Sequence, residues 1–321
     1  MNDASLSAGP DARQGQDENL RQIVQSLVLR LGPLERGPEP LDGGITNRNY
    51  RARLGGREYV IRVPGKDTSL LGIDRGAEYE ANDAAAAVGV AAPVAAMLDR
   101  PQAIVTEFIE GRGMDSAELR DPQAIAGVAA ALRRMHGSGV RLRSTFDSFR
   151  IVELYERTAR DRGAAVPGAY GPAHATAARI EAAVSGEEHD PVPCHNDLLA
   201  ANFIWDGERV RIVDWEYAGM GDRWFDLANF AVNNDLDDRA REALLGAYFD
   251  APPDRERTAT LLLFTYMSDF REAMWGVVQA TVSELEFDFA GYARKHFERM
   301  SRTAATAEFE AALEEVADGV S

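Results

Sequence analysis

The segment 192–217, VPCHNDLLAANFIWDGERVRIVDWEY, constrains the fold of this chain more than any other stretch. It carries one His, three Asp and two Asn among residues that are otherwise apolar enough to be buried. Ionisable side chains are tolerated in apolar surroundings only when they are paired, hydrogen-bonded or bound to a metal. The segment therefore predicts a buried polar site, and the alternative is a loop of solvated acids beside a hairpin.

The spacing within this segment predicts how its polar side chains meet. Residues 203–213 are typical of a strand, an Asp-Gly turn and a returning strand. Such a hairpin would bring Asn202 and Asp214 to the same end, with Asp197 on the loop five residues before Asn202. Two oxygen ligands beside a carboxylate base form a magnesium-dependent phosphoryl-transfer site.

Composition limits the classes of protein that this chain can belong to. At 321 residues it is long enough for two sizeable lobes. Its net charge of −17 argues against nucleic acid and anionic membranes as partners and is compatible with a cationic substrate. We find no apolar run of membrane-spanning length and no signal peptide. The lone cysteine, Cys194, indicates a reducing compartment, so we expect a cytoplasmic protein in which Cys194 is a small buried hydrophobe.

The order of the polar residues also fits the protein-kinase template of His-x-Asp, an Asn five residues later and a metal-binding Asp. Asn196 replaces the Arg of that loop, and Trp215-Glu216 stand in place of Phe-Gly. With these departures, CHNDLLAANFIW and IVDWEYAG resemble the aminoglycoside phosphotransferase and choline kinase superfamily, and most closely its choline/ethanolamine kinase branch. The resemblance implies an α+β, protein-kinase-like fold with a small β-rich N-lobe and a larger, mainly helical C-lobe.

The composition and the predicted secondary structure change along the chain as expected for two lobes. We expect a disordered tail over 1–17, where Ser, Gly, Asp and Gln dominate. The N-lobe would cover 18–110 and open with a helix over 19–31. A polar, proline-rich link would lead to Leu41, from which the pattern is typical of strands. The C-lobe would cover 111–321.

A glycine-rich loop in the N-lobe is suited to nucleotide phosphates. Gly44 permits close approach of the backbone, and the polar groups of Thr46 and Asn47 can donate to phosphate. Glycine pairs mostly mark turns, so this feature alone is weak evidence. A Walker A loop is excluded, because Lys66 is followed by Asp67 instead of Ser or Thr.

GGITNRNY, YVIRVPG and GIDRGAEYE extend the resemblance. It implies that Arg62 on the third strand holds the α/β-phosphates of ATP and pairs with an acid on the next helix. We choose Glu78 as this partner, with Glu80 as the alternative. The helix would begin near Asp74 as its cap and end at Gly89.

The strand over 103–109 would close on the hinge between the lobes. By resemblance, adenine would bond backbone groups near Glu107 and Ile109. Further helices are predicted over 121–135, 149–162, 173–183, 254–282 and 287–300, with another opening at 224. The acidic tail would fray, although a helix over 303–317 is also compatible with the pattern.

The stretch REAMWGVVQATVSELEFDFAGYARKHFERM resembles the part of choline kinases that binds the acceptor. These enzymes hold a quaternary ammonium with aromatic faces and a carboxylate. Tyr217, Trp275 and Tyr292 match pocket aromatics, whereas Glu272 stands in place of a second tryptophan and Asn233 in place of a pocket Glu. The alternative for Trp275 and Tyr292 is helix-packing core.

Together these features predict an ATP- and Mg-dependent kinase of a small, cationic alcohol such as choline, ethanolamine or a similar amino alcohol. Asp197 would accept or orient the hydroxyl proton, and Asn202 and Asp214 would hold magnesium, with Glu216 as a further candidate. His195 would brace the loop. Alternatives are an aminoglycoside, thiamine or other sugar or alcohol kinase, or a catalytically inactive nucleotide-binding regulator.

The resemblance also implies that Asp226 anchors the catalytic loop from the following helix. His136 ends a stretch similar to one in choline kinases, but we expect it to be a packed, hydrogen-bonded histidine. The oligomeric state is not predicted by any feature of the sequence.

Overall fold

The computed structural model describes residues 10–41, 47–65, 68–185, 190–283 and 287–319. A five-stranded antiparallel sheet forms the N-lobe, in the order β1-β2-β3-β5-β4. Its strands are β1 (Leu34–Leu41), β2 (Asn47–Leu54), β3 (Arg57–Pro64), β4 (Val94–Asp99) and β5 (Gln102–Glu107). Helix α1 (Pro10–Leu31) packs on β1 and β2, and α2 (Arg75–Ala87) follows β3.

The first strand differs from the sequence prediction. Residues 34–41 were expected to be a link, but they form β1 and pair with β2 through irregular register. The strand lies at the edge of the sheet, where the missing N–H groups of Pro38 and Pro40 are tolerated. The β2–β3 turn uses Gly55 and Gly56, both with positive φ, as a tight hairpin requires.

Helix α1 begins at Pro10, so residues 10–17 are helical where the sequence predicted a disordered tail. Proline is favoured at the first helical position because its φ angle is already suited to a helix. Ile23 and Leu27 on this helix are fully buried against Leu54, Ile61 and Val105 of the sheet. This small core holds α1 against one face of the sheet.

The larger lobe is mainly helical. Its helices are α3 (Pro122–His136), α4 (Ser148–Asp161), α5 (Tyr170–Val184), α6 (Arg223–Asn233), α7 (Asp238–Phe249), α8 (Arg255–Val282), α9 (Phe289–Ala304) and α10 (Ala307–Gly319). The tail that was expected to fray therefore ends in a helix, since Phe309 and Leu313 are buried. Helix α8 lies at the centre and packs against α4, α6, α9 and α10.

Five short strands complete the C-lobe and carry the polar loops. They are β6 (Arg112–Gly113), β7 (Val192–Cys194), β8 (Phe203–Trp205), β9 (Val210–Ile212) and β10 (Gly219–Gly221). β8 and β9 form the predicted hairpin, and β7 pairs with β10. The predicted α+β, protein-kinase-like fold is thereby confirmed, with a β-rich N-lobe and a helical C-lobe.

Part of the acidity of the chain is used to cap helices. The N-cap side chains of α2, α3, α4, α6, α7, α8 and α9 are all aspartates that accept backbone N–H groups. Each such cap stabilises a helix by about 1 kcal/mol. Among the described residues, no helix is long and apolar enough to cross a lipid bilayer.

Candidate active site

The loop between β7 and β8, which the sequence predicts to be catalytic, is held by Asp226 in the first turn of α6. Its carboxylate accepts the N–H groups of His195 at 2.8 Å and of Asn196 at 2.7 Å, and contacts His136 Nε2 at 3.0 Å. Burial disfavours the charged form, but the bond from His136 and the donated N–H groups lower the pKa of Asp226. The hydrogen bonds predicted for Asp226 and the packed position predicted for His136 are both present.

The same cluster has the composition of a metal site. Ligand atoms of His136, Cys194 and Asp226 lie within 4.8 Å of one another. However, Asp226 already takes part in three hydrogen bonds, His136 also contacts Tyr248 Oη at 2.7 Å, and burial raises the pKa of the Cys194 thiol. Cys194 is fully buried, as expected of a small hydrophobe. We therefore interpret this cluster as structural.

His195 braces the loop as a neutral ring. The backbone N–H of Asp197 donates to His195 Nδ1 at 3.2 Å, so Nδ1 carries no proton, and Nε2 donates to the Val213 carbonyl at 3.0 Å. Burial lowers the pKa of His195 to about 4. The ring ties the catalytic loop to the end of β9, where Asp214 follows.

Two loop residues near the site have left-handed backbone conformations. The φ angle is 67° at Asn196 and 70° at Asp214. Asparagine and aspartate tolerate this region better than other side chains, and such strain clusters at functional sites. The side chain of Asn196 donates to the Tyr217 carbonyl at 3.1 Å and so joins both loops.

The hairpin brings the three predicted polar side chains together. Asn202 donates through Nδ2 to the Asp197 carbonyl at 2.8 Å, while Val213 N–H bonds the Asn202 carbonyl at 3.0 Å. Burial raises the pKa of Asp197 to about 7. The charge of Arg271 opposes this shift, whereas those of Glu272, Asp214 and Glu216 act in the same direction. Asp197 and Asp214 therefore interact through their charges.

This donor set fits a divalent cation. Because Asn202 Nδ2 is committed to a carbonyl oxygen, its Oδ1 is the atom left to act as a ligand. With the Asp214 carboxylate it gives the hard oxygen ligands that Mg²⁺ prefers. Glu216 lies two residues further on, buried at 5% exposure.

A network of ion pairs links both lobes beside this site. Arg62 on β3 contacts Glu78 at 3.1 Å and makes a short contact with Asp214, both through Nη1. The predicted pair with Glu78 is therefore present, whereas the alternative partner Glu80 lies 3.4 Å from Arg143. Burial disfavours the cation, but the carboxylates of Asp214 and Glu78 raise the pKa of Arg62.

Sequence reasoning missed Arg75, which completes this network. Its Nη1 contacts Glu78 at 2.5 Å and Glu216 at 3.0 Å, and its Nη2 donates to Asn47 Oδ1 at 3.0 Å. Asn47 also donates to Glu216 at 2.8 Å. The i, i+3 spacing of Arg75 and Glu78 was the available signal. Gly44 and Thr46, predicted for the phosphate loop, lie outside the described residues.

The hinge contains the backbone groups expected to meet adenine. The N–H of Glu107 donates to Pro93 and that of Phe108 to Glu58, both at 2.9 Å, so neither donor is available to a ligand. A cavity of about 330 Å³ borders the hinge, and its lining includes Ile109 and Arg211. It shares no residue with the network around Arg62, so we do not assign it to the phosphates.

Four of the predicted acceptor residues, Tyr217, Glu272, Trp275 and Tyr292, lie in contact with one another. Trp275 Nε1 donates to Tyr217 Oη at 3.0 Å, and Tyr292 Oη donates to Glu272 Oε2 at 2.6 Å. The rings of Trp275 and Tyr292 lie 5.7 Å apart, edge to face. Burial and the charge of Glu272 raise the pKa of Tyr292. Asn233 ends α6, and its buried Nδ2 has no partner among the described residues.

Arg271 is the second functional candidate that sequence reasoning missed. It is 1% exposed on α8, and its Nη1 lies 3.2 Å from Asp197 Oδ1 and 2.6 Å from Glu272 Oε1. Burial disfavours both ions, yet Arg271 lowers the pKa of Glu272, and Glu272 raises the pKa of Arg271. The signal was an adjacent Arg-Glu pair inside an otherwise apolar helix.

Comparisons with known proteins identify the family and the fold of this chain. The model of the family described as "Phosphotransferase enzyme family" matches residues 38–261. Ethanolamine kinase 2 of Rattus norvegicus is 28% identical over 302 residues, covering 85% of this chain and 77% of that protein.

Two solved structures share the fold over nearly the whole chain. A choline/ethanolamine kinase family protein from Mesorhizobium loti superposes with a TM-score of 0.80 at 29% identity, covering 95% of this chain and 99% of the other. Choline kinase LicA from Streptococcus pneumoniae has a TM-score of 0.74 at 25% identity, covering 89% and 99%.

Proposed function

This chain belongs to the phosphotransferase enzyme family, and we propose that it transfers the γ-phosphoryl group of ATP, with magnesium, to the hydroxyl of a small amino alcohol. Its action as a phosphotransferase with an alcohol acceptor follows from the family and from relatives named as choline and ethanolamine kinases. The nucleotide, the metal and the acceptor class are our proposal.

One observation supports the proposal: the buried Asp197 carboxylate interacts with the charges of Asp214 and Glu216, while the Asn202 side chain donates to the Asp197 backbone carbonyl. Asp197 is 8% exposed, so water screens its charge poorly. Burial makes a carboxylate a better proton acceptor, so Asp197 is suited to receive the proton of a hydroxyl bound beside it. We assign it as the base that receives the hydroxyl proton.

With Asp197 as the base, every bond and proton in the phosphoryl transfer is accounted for. The acceptor oxygen forms a bond to the γ-phosphorus of ATP as the bond between that phosphorus and the β–γ bridging oxygen breaks. The hydroxyl proton passes to Asp197, and ADP leaves with the bridging oxygen. The proton on Asp197 then returns to water.

The phosphates would be held by the chain's own cations and by the oxygen ligands. Bound magnesium would neutralise phosphate charge, with Asn202 Oδ1 and Asp214 as its protein ligands and Glu216 nearby. Arg62, oriented by Glu78, would contact the phosphates of a bound nucleotide, which would compete with Asp214 for its guanidinium. Adenine would meet the hinge near the Glu107 carbonyl and Ile109.

The acceptor would lie between Asp197 and the cluster of Tyr217, Glu272, Trp275 and Tyr292. Relatives named as ethanolamine kinase and choline kinase support an amino alcohol. Glu272 is buried and charged, so it favours an acceptor with a positive group.

A coupled assay of ADP release with magnesium-ATP tests the proposal. Amino alcohols, aminoglycosides and thiamine would be compared as acceptors, with Asp197→Asn as the blank. We expect acceptor-dependent ADP release with at least one amino alcohol and none in the variant. Equal release with and without every acceptor would contradict the proposed function, and transfer only to aminoglycosides or thiamine would contradict the acceptor class.

A further inference from the structure

Two carboxylates on α8 face two rings on α9. Glu272 accepts the Tyr292 hydroxyl at 2.6 Å, and one turn earlier on α8 an oxygen of Asp269 lies 2.7 Å from His296 Nδ1. Tyr292 and His296 are likewise one turn apart on α9, so both pairs lie on the facing sides of the two helices. The first pair belongs to the acceptor cluster, whereas no step of the phosphoryl transfer uses the second.

The second pair is buried in an interface that is otherwise apolar. Asp269 and His296 are 2% and 3% exposed, and Phe270 and Phe297 pack across the same two helices. Replacing a buried ionic cluster with well-packed apolar side chains is often neutral or stabilising, so stability alone does not account for the pair. The best-attested use of buried polar groups between helices is to fix the register of one helix against the other.

The Asp269 side chain is held by an arginine of α9. Arg299 Nε lies 2.8 and 2.9 Å from the two carboxylate oxygens, and Nη2 lies 2.6 Å from Oδ1. Nη1 contacts the Val232 carbonyl at 3.3 Å and Asp235 at 3.2 Å, at the end of α6. Because the carboxylate of Asp269 can only accept, His296 Nδ1 carries the proton of the 2.7 Å bond. The imidazole is thereby fixed relative to α6, α8 and α9.

This fixed imidazole supports the ring of Tyr292. The centroids of the Tyr292 and His296 rings are 4.5 Å apart, closer than the 5.7 Å between Tyr292 and Trp275. A further ring neighbour, Phe287 at 6.0 Å, is 47% exposed. The buried support nearest to Tyr292 among these rings is therefore His296, and the position of the Tyr292 hydroxyl depends on it.

Tyr292 in turn orients Glu272. Oε1 of this carboxylate accepts from Arg271 at 2.6 Å, and Oε2 accepts from Tyr292. Without the tyrosine hydroxyl, Oε2 would lose this donor and the carboxylate could rotate. The charge of His296 also reaches this group: burial disfavours the ionised form, but Arg271 and then His296 lower the pKa of Glu272.

We propose that His296, held by Asp269 and Arg299, is a positioning residue for the acceptor and acts on Glu272 through Tyr292. The inference rests on the proposed function, in which Glu272 faces the positive group of the acceptor. It adds a buried cluster behind the predicted acceptor residues to the determinants of acceptor affinity.

A double-mutant cycle with Tyr292→Phe tests this relation, with the best amino alcohol of the ADP-release assay as acceptor. His296→Phe keeps a ring beside Tyr292 but cannot donate to Asp269. We expect the KM for the acceptor to rise about 3–10-fold, as in Tyr292→Phe, and the KM for ATP to stay within about twofold. In the Tyr292→Phe background the same substitution should change the KM for the acceptor less than about twofold, because the hydroxyl through which His296 acts is already gone.

Matched variants control for general effects on the fold. Asp269→Asn keeps an oxygen that can accept the Nδ1 proton, and it should keep the KM for the acceptor within about twofold of wild type. His174→Phe removes a histidine that pairs with Glu153 at 3.1 Å but is 43% exposed, and it should change neither KM. His296→Gln, which lacks the ring, takes the place of His296→Phe in the cycle if that variant does not fold.

An unchanged KM for the acceptor in the His296 variant, or an effect that adds fully to that of Tyr292→Phe, would overturn the inference. Crystal structures of the wild-type protein and the His296 variant give a readout that needs no turnover. We expect Tyr292 Oη to move out of hydrogen-bond distance of Glu272 Oε2 in the variant, and a retained bond would overturn the inference. If the bond is lost but no amino alcohol is phosphorylated by the wild-type enzyme, the proposed function fails and the positioning by His296 stands.

Discussion

The two sides of Asp197 are built differently. The phosphate side, which consists of Arg62, Arg75, Glu78, Asp214 and Glu216, draws its members from a strand, a helix and a loop in both lobes. The acceptor side, which consists of Tyr217, Arg271, Glu272, Trp275 and Tyr292, takes three of its five members from the central helix α8.

This difference in construction corresponds to a difference in task. The phosphate side would bind the same charges in every kinase of this kind, and Arg62, Glu78 and Asp214 occupy positions that the family resemblance implies. The acceptor side can change without altering the fold, because pocket chemistry sets the substrate. A buried Arg-Glu pair among the apolar neighbours of α8 is such a change.

Removing the base between the two sides should have the largest effect. We expect Asp197→Asn to lower kcat by about 10³-fold, within the range of general-base catalysis, while ADP binding changes less than about twofold. Steady-state kinetics and calorimetry measure these quantities. Glu208→Gln, whose side chain is 81% exposed, is the control. Near-normal turnover of Asp197→Asn would show that neither side is organised around this carboxylate.

The anchor beneath the catalytic loop should matter for stability. Asp226→Asn leaves buried donors without their charged partner, and we expect a loss of about 3 kcal/mol in the free energy of unfolding. Urea denaturation measures it, with Asp238→Asn, 98% exposed, as the control. Equal stability of the two variants would contradict the role of Asp226 as an anchor.

The neutral state of His195 should make stability depend on pH. Its pKa is about 4 in the folded chain and about 6.5 when unfolded, so its contribution is present above pH 6.5 and is lost as the pH falls toward 4. The full shift corresponds to about 3 kcal/mol. The wild-type protein should lose stability over this window more steeply than His195→Gln. Parallel pH profiles would contradict a buried neutral ring.

The buried ion pair of the phosphate side can be compared with an exposed pair on the same strand. Arg62→Met should raise the KM for ATP about 10–100-fold and leave that of the acceptor within about twofold. Arg57→Met breaks a pair with Glu107 whose arginine is 70% exposed, and it should change neither constant measurably. An equal change in the KM for ATP in Arg62→Met and Arg57→Met would contradict a special role of the buried pair.

The smallest effect should come from the edge of the acceptor side. Tyr292→Phe removes one hydrogen bond to Glu272 and keeps the ring packing against Trp275. We expect a rise of about 3–10-fold in the KM for the acceptor, with the KM for ATP unchanged. A rise in the KM for ATP would show that the two sides are not independent.

The sequence was sufficient for the elements whose pattern is local. The hairpin over 203–213, the cap at Asp74 and the pair of Arg62 with Glu78 all follow from spacing or from the resemblance. Strand β1 was missed because two prolines in a short polar stretch are typical of a linker. An edge strand tolerates them because its outer edge needs no N–H donors for a further strand.

The long-range members of the site could not be predicted in the same way. Arg75 contacts Glu216, 141 residues away, and Arg271 contacts Asp197, 74 residues away. Helix periodicity can place a charge on a buried face, but it does not identify the opposite charge that compensates it. Their partners become visible only when the tertiary packing is known.

The magnesium site proposed at Asn202 and Asp214, beside the base, is the feature on which the proposed function depends most. A crystal structure of the protein with ADP and Mn²⁺, with anomalous data that locate manganese, tests it directly. We expect an anomalous peak within coordination distance of Asn202 Oδ1 and the Asp214 carboxylate, with Arg62 moved from Asp214 to phosphate. A manganese ion bound to the nucleotide without either side chain would contradict the account.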